Sequence, residues 1–202
     1  MPDALADLAK RVRGRAIDRF VLGIAGPPGA GKSTVADRVR DVLNDAGRVA
    51  VVAPMDGFHR SNAELDAMGA RERKGEPDTF DAEGYVAALR RVREQRGQVE
   101  WPTFSREIDE PTPGGVVIED EAIVITEGNY LLFDEGPWRD VRGLLDEAWF
   151  VDVPDEVLVP RLLERFLAGG MSREEAEAKI AQSDLRNAAL VRATRSRADL
   201  VL

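Results

Sequence analysis

Short apolar runs alternate along the chain with longer segments of helical periodicity. The apolar runs, which include many β-branched residues, fall at 20–25, 49–53, 122–126, 149–153 and 199–202. Helical patterns cover 32–44, 81–95, 155–167 and 172–194, and a leading helix carries Leu5, Leu8 and Val12 on one face. Strands that are almost entirely apolar are typical of parallel sheets covered on both faces. The pattern therefore predicts an α/β fold, a doubly wound and mostly parallel sheet with helices on both faces.

The segment 54–113 departs from this alternation. It is rich in Gly, Pro, Asp and Arg and contains one clear helical pattern. Segments of this kind usually form active-site loops, so we expect 54–113 to supply the substrate side of a site. Because no linker or internal repeat divides the chain, we expect a single domain over residues 1–202, a length that one hydrophobic core can serve.

The composition excludes several classes of function. The chain carries 37 acidic and 28 basic residues, a net charge of -9, so it lacks the basic excess that nucleic-acid binding requires. It has no cysteine, which excludes disulfides and thiolate chemistry. No run approaches the roughly 20 apolar residues of a membrane span, and the N-terminus lacks the apolar core of a signal peptide. We expect a cytoplasmic protein without membrane or nucleic-acid partners, and a homodimer on base rates alone.

Residues 26–33 read GPPGAGKS, directly after the first predicted strand and before a helical pattern. This spacing is typical of a loop whose backbone N–H groups surround phosphates, with the dipole of the following helix adding positive charge. The predicted nucleotide-binding residues are Gly26, Pro27, Pro28, Gly29, Ala30, Gly31, Lys32, Ser33 and Thr34. Lys32 would contact the β- and γ-phosphates, and the Ser33 hydroxyl would bind Mg²⁺. The alternative is an ordinary glycine-rich turn.

The loop predicts nucleotide binding without choosing a reaction, since ATPases, GTPases and kinases all use it. A guanine-specific GTPase would need an N-K-x-D segment, which the chain lacks. Two acids follow other predicted strands, Asp56 in VVAPMDGFHR and Glu127 in IVITEGNY, at the sheet edge where open α/β folds bind ligands. One carboxylate should hold the metal and the other accept the proton of an attacking hydroxyl, and which does which stays open. The alternatives are a turn or cap aspartate for Asp56 and a structural ion pair for Glu127.

Four segments carry a family resemblance: GPPGAGKS, MDGFHR at 55–60, RKGEPDTFD at 73–81 and EGNYLLFD at 127–134. Over nearly its whole length the chain resembles the phosphoribulokinase, uridine kinase and type I pantothenate kinase family of P-loop kinases. The resemblance is strongest to a small bacterial subgroup labelled fructose transport kinases or nucleoside kinase-like proteins. It implies the P-loop NTPase fold, ATP and Mg²⁺ as cofactors, Asp56 as general base and Glu127 as a magnesium-linked acid.

The same resemblance implies positions for the two substrates. Arg73, Asp81 and Arg106 would lie near the acceptor, and Asn187 near the adenine. Where uridine kinases have Tyr and Asp before the arginine, this chain has Phe104 and Ser105, which weakens the prediction of a nucleoside acceptor. The chain is also shorter than type I pantothenate kinases.

Two further residues are candidates for the acceptor site. His59, the only histidine, lies three residues beyond Asp56 and would either donate to a substrate hydroxyl or satisfy a loop carbonyl. Tyr130, beside a predicted strand end, would either contact the acceptor or pack in the core.

The segment 155–170 is predicted to be a lid. Arg161 and Arg165 share the flank of its apolar stripe, and two glycines at 169–170 would provide a hinge before the next helix. Their planar, permanently charged groups suit the charge that develops on a transferring phosphoryl group, and R-L-x-x-R is similar to the lid motif of uridine kinases. The alternative is a solvated helix face on which Glu164 forms ion pairs.

The predicted function is a kinase that uses ATP and Mg²⁺ to phosphorylate a hydroxyl of a small molecule: a sugar, a nucleoside or a pantothenate-like compound. The alternative is a nucleotide-operated ATPase regulator associated with transport. Such a regulator would need a residue that orients water and a surface for a partner, and the sequence identifies neither.

Overall fold

The computed structural model describes residues 2–15, 19–47, 49–94 and 97–202. The strands are β1 (Phe20–Ala25), β2 (Ala50–Pro54), β3 (Val99–Ser105), β4 (Glu110–Ile118), β5 (Ile123–Gly128), β6 (Glu147–Phe150) and β7 (Leu200–Val201). The helices are α1 (Pro2–Arg15), α2 (Lys32–Asp45), α3 (Asn62–Ala67), α4 (Ala82–Glu94), α5 (Asp155–Ala168), α6 (Arg173–Lys179) and α7 (Leu185–Arg192).

Five strands form a parallel sheet in the order β2-β5-β1-β6-β7. Alternate residues of β1 point to opposite faces, so Val21 packs into one hydrophobic cluster with α4 and Leu22 into another with α1, α2 and α5. The predicted α/β class, the parallel sheet and its helical cover on both faces are confirmed. Because all five strands run the same way, the carboxyl ends of β1, β2 and β5 meet at one edge.

The segment 54–113 contains more regular structure than its composition predicts. The strands β3 and β4 form an antiparallel hairpin outside the main sheet, and α3 lies between β2 and α4. The sequence pattern hides this hairpin because Pro102 interrupts β3 near a register shift, and β4 contains two glycines and is mostly exposed. The expectation of loops and a single helix was therefore wrong for this segment.

The predicted helix at 172–194 is divided. A capping box of Ser172 and Glu175 begins α6 at the predicted start of the helix, but a π-helical turn at Ile180–Asp184 separates α6 from α7. The predicted helix at 81–95 begins at Ala82, and its expected last residue, Gln95, lies outside the described residues.

The leading helix α1 is anchored by a buried acid. Val12 is buried in the core as predicted, whereas the side chain of Leu5 lies outside the described residues. Glu147 of β6 is fully buried, forms an ion pair with Arg11 Nε at 2.9 Å and accepts a hydrogen bond from Trp149 Nε1 at 2.8 Å. In the described ranges, every helix is too short or too polar to cross a bilayer.

Candidate functional site

The glycine-rich loop after β1 has the backbone of a phosphate cradle. Gly26 and Gly31 adopt φ angles of 156° and 94°, which side chains disfavour. A Cβ on Gly26 would lie 2.6 Å from the carbonyl oxygen of Val151, the residue after β6, so this close approach also requires a glycine. Gly31 immediately precedes α2, and the loop therefore points its N–H groups and the helix dipole toward one position.

Lys32 is held under this loop by two acceptors. Its Nζ donates to the Pro27 carbonyl at 3.0 Å and to Asn129 Oδ1 at 2.7 Å, and only 8% of the residue is exposed. Burial lowers the pKa of Lys32, while the negative charges of Glu127 and Asp56 oppose that change. The ammonium group is thus fixed beside the cradle rather than free to sample solvent.

Glu127 and Ser33 form the pair that could hold a metal. The Ser33 hydroxyl donates to Glu127 Oε1 at 2.9 Å. Burial and the charge of Asp56 raise the pKa of Glu127, so a cation at this position would be favoured because it would restore the charged form. The described part of the chain contains no group of three or more metal-binding acids or histidines, so Mg²⁺ here would rely on phosphate oxygens as well. The Ser33 hydroxyl and the Glu127 carboxylate fit a Mg²⁺ site in which phosphate oxygens supply the other ligands.

Asp56 lies in a 3-10 turn, Met55–Phe58, at the carboxyl end of β2. About a third of its side chain is exposed, and Oδ2 lies 3.8 Å from a guanidinium nitrogen of Arg106. The hairpin supports this turn because Trp101 Nε1 donates to the Pro54 carbonyl at 2.8 Å. The result is an accessible carboxylate on a rigid strand end, next to a cation.

His59 is enclosed by aromatic rings and bound to the backbone. Its Nδ1 lies 2.8 Å from the Asp56 carbonyl oxygen, and its ring packs against Phe80 and Phe104 at centroid distances of 4.0 and 4.6 Å. Burial lowers the pKa of His59, so the neutral ring predominates at pH 7. Nδ1 thus satisfies a loop carbonyl, which leaves Nε2 as the atom for any contact with substrate.

The two arginines of α5 differ in their surroundings. Arg161 donates to the carbonyl oxygens of Gly29 and Ala30 at 3.4 and 3.2 Å, which ties α5 to the cradle. The Arg165 guanidinium lies 5.0 Å from the Phe166 ring centroid, and its buried Nε has no hydrogen-bond partner among the described residues. Burial lowers the pKa of Arg165. Both arginines line the same cavity as Lys32.

This cavity has a volume of about 490 Å³ and unites most of the predicted site residues. It is lined by Pro28, Gly29, Gly31, Lys32, Ser33, Thr34, Asp56, His59, Arg106, Glu127, Arg161, Arg165 and Asn187 from the predicted set. Of the residues that the structure describes, seven lysines and arginines but four acids face it, although the chain as a whole is acidic. The cavity therefore favours anionic ligands.

Three predicted acceptor residues do not line the cavity. Arg73 forms ion pairs with Glu76 and Asp78, and Asp81 accepts from the Gly84 N–H at the start of α4. Tyr130 is fully buried, and its hydroxyl donates to the Gly75 carbonyl at 2.6 Å. These contacts stabilise the 73–81 segment, and any direct contact of the three with substrate stays a prediction.

Gly26, Pro27 and Ala30 lie in the cradle without lining the cavity wall. Asn187 does line it, and its side-chain amide lies 3.4 Å from the carbonyl oxygen of Gly75. The Asn187 amide thus contacts the 73–81 segment, which is predicted to lie near the acceptor. Its placement near the adenine stays a prediction.

Sequence reasoning missed several residues of the cavity wall. Asn129 holds Lys32, and Lys74 forms an ion pair with Asp109 at 2.9 Å while lying over the Phe104 ring. Asp184 faces the cavity from the π-helical turn. The position of Asn129 in EGNY, two residues after the strand-end acid, was the only available signal.

Comparisons with known proteins agree with this geometry. A model of the phosphoribulokinase/uridine kinase family matches residues 21–202. The chain is 34% identical over 186 residues to the uncharacterized protein YggC of Escherichia coli K12, covering 91% of this chain and 77% of YggC. It is 32% identical over 194 residues to the "putative uridine kinase C227.14" of Schizosaccharomyces pombe, covering 91% of this chain and 83% of that protein.

Among solved structures, the "putative fructose transport system kinase" from Silicibacter sp. TM1040 superimposes with a TM-score of 0.91. The two chains are 36% identical, and the match covers 98% of each. The parallel sheet, the cradle before α2 and these matches agree with one another. The chain has the α/β P-loop NTPase fold and belongs to the phosphoribulokinase/uridine kinase family.

Proposed function

We propose that this protein transfers the γ-phosphoryl group of ATP to a hydroxyl of a small acceptor. The observation that carries the proposal is the convergence of the cradle, Lys32 and the accessible carboxylate of Asp56 on one cavity of about 490 Å³. Family membership supports kinase chemistry but does not choose the acceptor. The cationic lining supports a reaction in which phosphates, and the charge on a transferring phosphoryl group, are stabilised.

The cradle and α2 bind the ATP phosphates in this proposal. Backbone N–H groups of the loop and Lys32 contact the phosphate oxygens, and Asn129 keeps the ammonium group in place. Mg²⁺, when bound, neutralises phosphate charge, and Ser33 and Glu127 are the residues that would hold it. The fixed positions of these groups reduce the reorganisation that the transition state requires.

Asp56 accepts the proton of the attacking hydroxyl. The acceptor oxygen forms a bond to the γ-phosphorus, the bond from that phosphorus to the β–γ bridging oxygen breaks, and ADP leaves with that oxygen. The proton of the hydroxyl moves to the Asp56 carboxylate. Arg106, 3.8 Å from Asp56, orients the carboxylate and adds a cation on the acceptor side.

The arginines of α5 act above the phosphates. Arg161 connects α5 to the cradle through hydrogen bonds to the carbonyls of Gly29 and Ala30. A change in the cradle when phosphates bind would therefore alter the position of α5. Arg165 lines the cavity and has a buried Nε without a hydrogen-bond partner in the described residues, and its guanidinium would bind phosphoryl oxygens. This is the role of a lid arginine, and 155–170 is the proposed lid.

The test is acceptor-dependent ADP formation. Wild type, Lys32→Ala and Asp56→Asn would be assayed with Mg·ATP and a panel of fructose, uridine and pantothenate, with the exposed Asp45→Asn as matched control. We expect turnover with one acceptor class, reduced about 10²- to 10⁴-fold in Asp56→Asn because the general base is lost. Asp45→Asn should match wild type.

ADP formation that is independent of every acceptor and unchanged in Asp56→Asn would contradict the proposal. That result would favour an ATPase instead. Binding of ATP to Lys32→Ala with wild-type affinity would contradict the assignment of the cradle lysine.

A further inference from the structure

Asp184 is a buried acid in the wall of the cavity, and one of its carboxylate oxygens has no hydrogen-bond partner among the described residues. It ends the π-helical turn Ile180–Asp184, and only 7% of the residue is exposed. Its Oδ2 is buried and accepts no hydrogen bond from any residue in the described ranges. A buried carboxylate oxygen without a donor is costly, because no hydrogen bond replaces the ones that it made to water in the unfolded chain.

The surroundings of Asp184 do not remove this cost. Burial raises the pKa of its carboxyl, and the positive charges of Arg165 and Lys179 act in the opposite direction. Arg165 is itself unsatisfied at Nε, yet the two side chains are not paired. A buried carboxylate and a half-buried guanidinium therefore face one cavity without a hydrogen bond between them. Unpaired charged groups in a cavity cost stability, so their presence indicates a role in ligand binding.

The position of Asp184 is on the acceptor side of the cavity. Asn187, nearly one helical turn later, points its amide at the Gly75 carbonyl, which also accepts from Tyr130. The negative charge of Asp184 favours the protonated forms of both Tyr130 and Arg165. Together with the contact of Asn187 to Gly75, this places Asp184 between the 73–81 segment and the lid helix α5.

We propose that Asp184 is a specificity-determining residue that accepts a hydrogen bond from a second hydroxyl or an amino group of the acceptor. This inference rests on the proposed kinase function and narrows its acceptor to compounds with at least two hydrogen-bond donors, one phosphorylated and one held by Asp184. Sites that hydrogen-bond a substrate hydroxyl reject analogues lacking it, because the buried polar group is then left unpaired.

The experiment compares wild type with Asp184→Asn, Asp184→Leu and the control Glu177→Gln, an exposed acid on α6. Melting temperatures are measured without ligand and with fructose, uridine, 2′-deoxyuridine and pantothenate. KM values for the active acceptor and for ATP are measured separately. Removing an uncompensated charge should raise the Tm of ligand-free Asp184→Asn above that of wild type, while Glu177→Gln stays near wild type.

For the acceptor, we expect KM to rise about tenfold in Asp184→Asn and further in Asp184→Leu, with KM for ATP within about twofold of wild type. Asp184→Leu should also lose discrimination between the acceptor and its deoxy analogue. A lower Tm in ligand-free Asp184→Asn would reveal a structural partner and overturn the inference, as would an unchanged acceptor KM.

Failure of the kinase function would be visible separately, as the absence of acceptor-dependent ADP formation in wild type. The ligand-free Tm and the Tm shifts produced by the panel compounds would still decide the role of Asp184. A compound that stabilises wild type but not Asp184→Leu supports that role. Equal stabilisation of both proteins by every compound that binds overturns it.

Discussion

At the scale of single residues, hydrogen bonds to neighbouring residues fix the side chains of the site. Lys32 is held by Asn129, Ser33 by Glu127, and His59 by the backbone of Asp56. The motif residues were predictable because phosphate chemistry demands them at fixed spacing. The role of Asn129 was not predictable, because its partner Lys32 is 97 positions away in the sequence. The two residues come into contact only because β1 and β5 are neighbours in the sheet.

Asn129→Ala should weaken ATP binding. Without the 2.7 Å hydrogen bond, the Lys32 ammonium loses one of its two fixed acceptors, and a bond to a charged group is worth about 1.5–3 kcal/mol. We expect the Kd for ATP to rise roughly ten- to hundredfold. Isothermal titration with Mg·ATP measures it, and a Tm near that of wild type would show that the fold is intact. An unchanged Kd would mean that the Pro27 carbonyl alone positions Lys32.

His59 should make stability depend on pH. Its pKa is lowered below 6.5 in the folded protein by burial, so the unfolded chain takes up the proton first as the pH falls. Stability is therefore fully present above pH 6.5 and is lost as the pH falls toward the folded pKa. We expect the Tm of wild type to fall more steeply than that of His59→Gln below pH 6.5. Parallel Tm curves for the two proteins would contradict this.

At the scale of elements, the hairpin β3–β4 positions the proposed base. The backbone of Pro102 passes so close to Gly57 that a Cβ there would lie 2.0 Å from the Pro102 carbonyl oxygen. The glycine of MDGFH is thus explained by packing and not by its φ angle, since Gly57 has no positive φ. The hairpin, with its interrupted pattern, could not be predicted from periodicity.

Gly57→Ala should destabilise the protein and move Asp56. The clash involves backbone atoms, which cannot rotate away, and overpacking typically costs about 1–3 kcal/mol. Gly14→Ala is the matched control, since nothing lies within 4 Å of a Cβ at that position in α1. The control should stabilise the protein by about 0.5–1 kcal/mol through helix propensity. Urea denaturation of both variants measures the difference, and equal stability of the two would contradict the proposed close approach.

At the scale of the whole molecule, charge is distributed unevenly. The chain carries a net charge of -9, yet lysines and arginines outnumber acids among the described residues that line the cavity. They come from distant segments, among them α2, α5 and the hairpin, which only the folded sheet brings to one edge. An acidic surface around a cationic cavity directs anions toward the site and away from the rest of the surface.

ATP binding should therefore weaken with salt. Raising NaCl from about 0.05 to about 0.5 M shortens the screening length severalfold, and we expect the Kd for ATP to rise several-fold. The measurement is a titration at constant Mg²⁺, with the Tm of the ligand-free protein recorded at each salt concentration. A Kd that does not change with salt would show that the carboxylates of the cavity neutralise its cations.

The sequence by itself determined the α/β class, the strands of the parallel sheet, the phosphate cradle and the two strand-end acids. These follow from local rules, because apolar periodicity, glycine backbone freedom and motif spacing act over a few neighbouring residues. Only the tertiary structure decided the hairpin, the division of the 172–194 helix, the Lys32–Asn129 contact and the burial of Asp184 in the cavity wall. Whether a polar atom is buried and has a partner depends on segments far apart in the chain, and no local pattern records it.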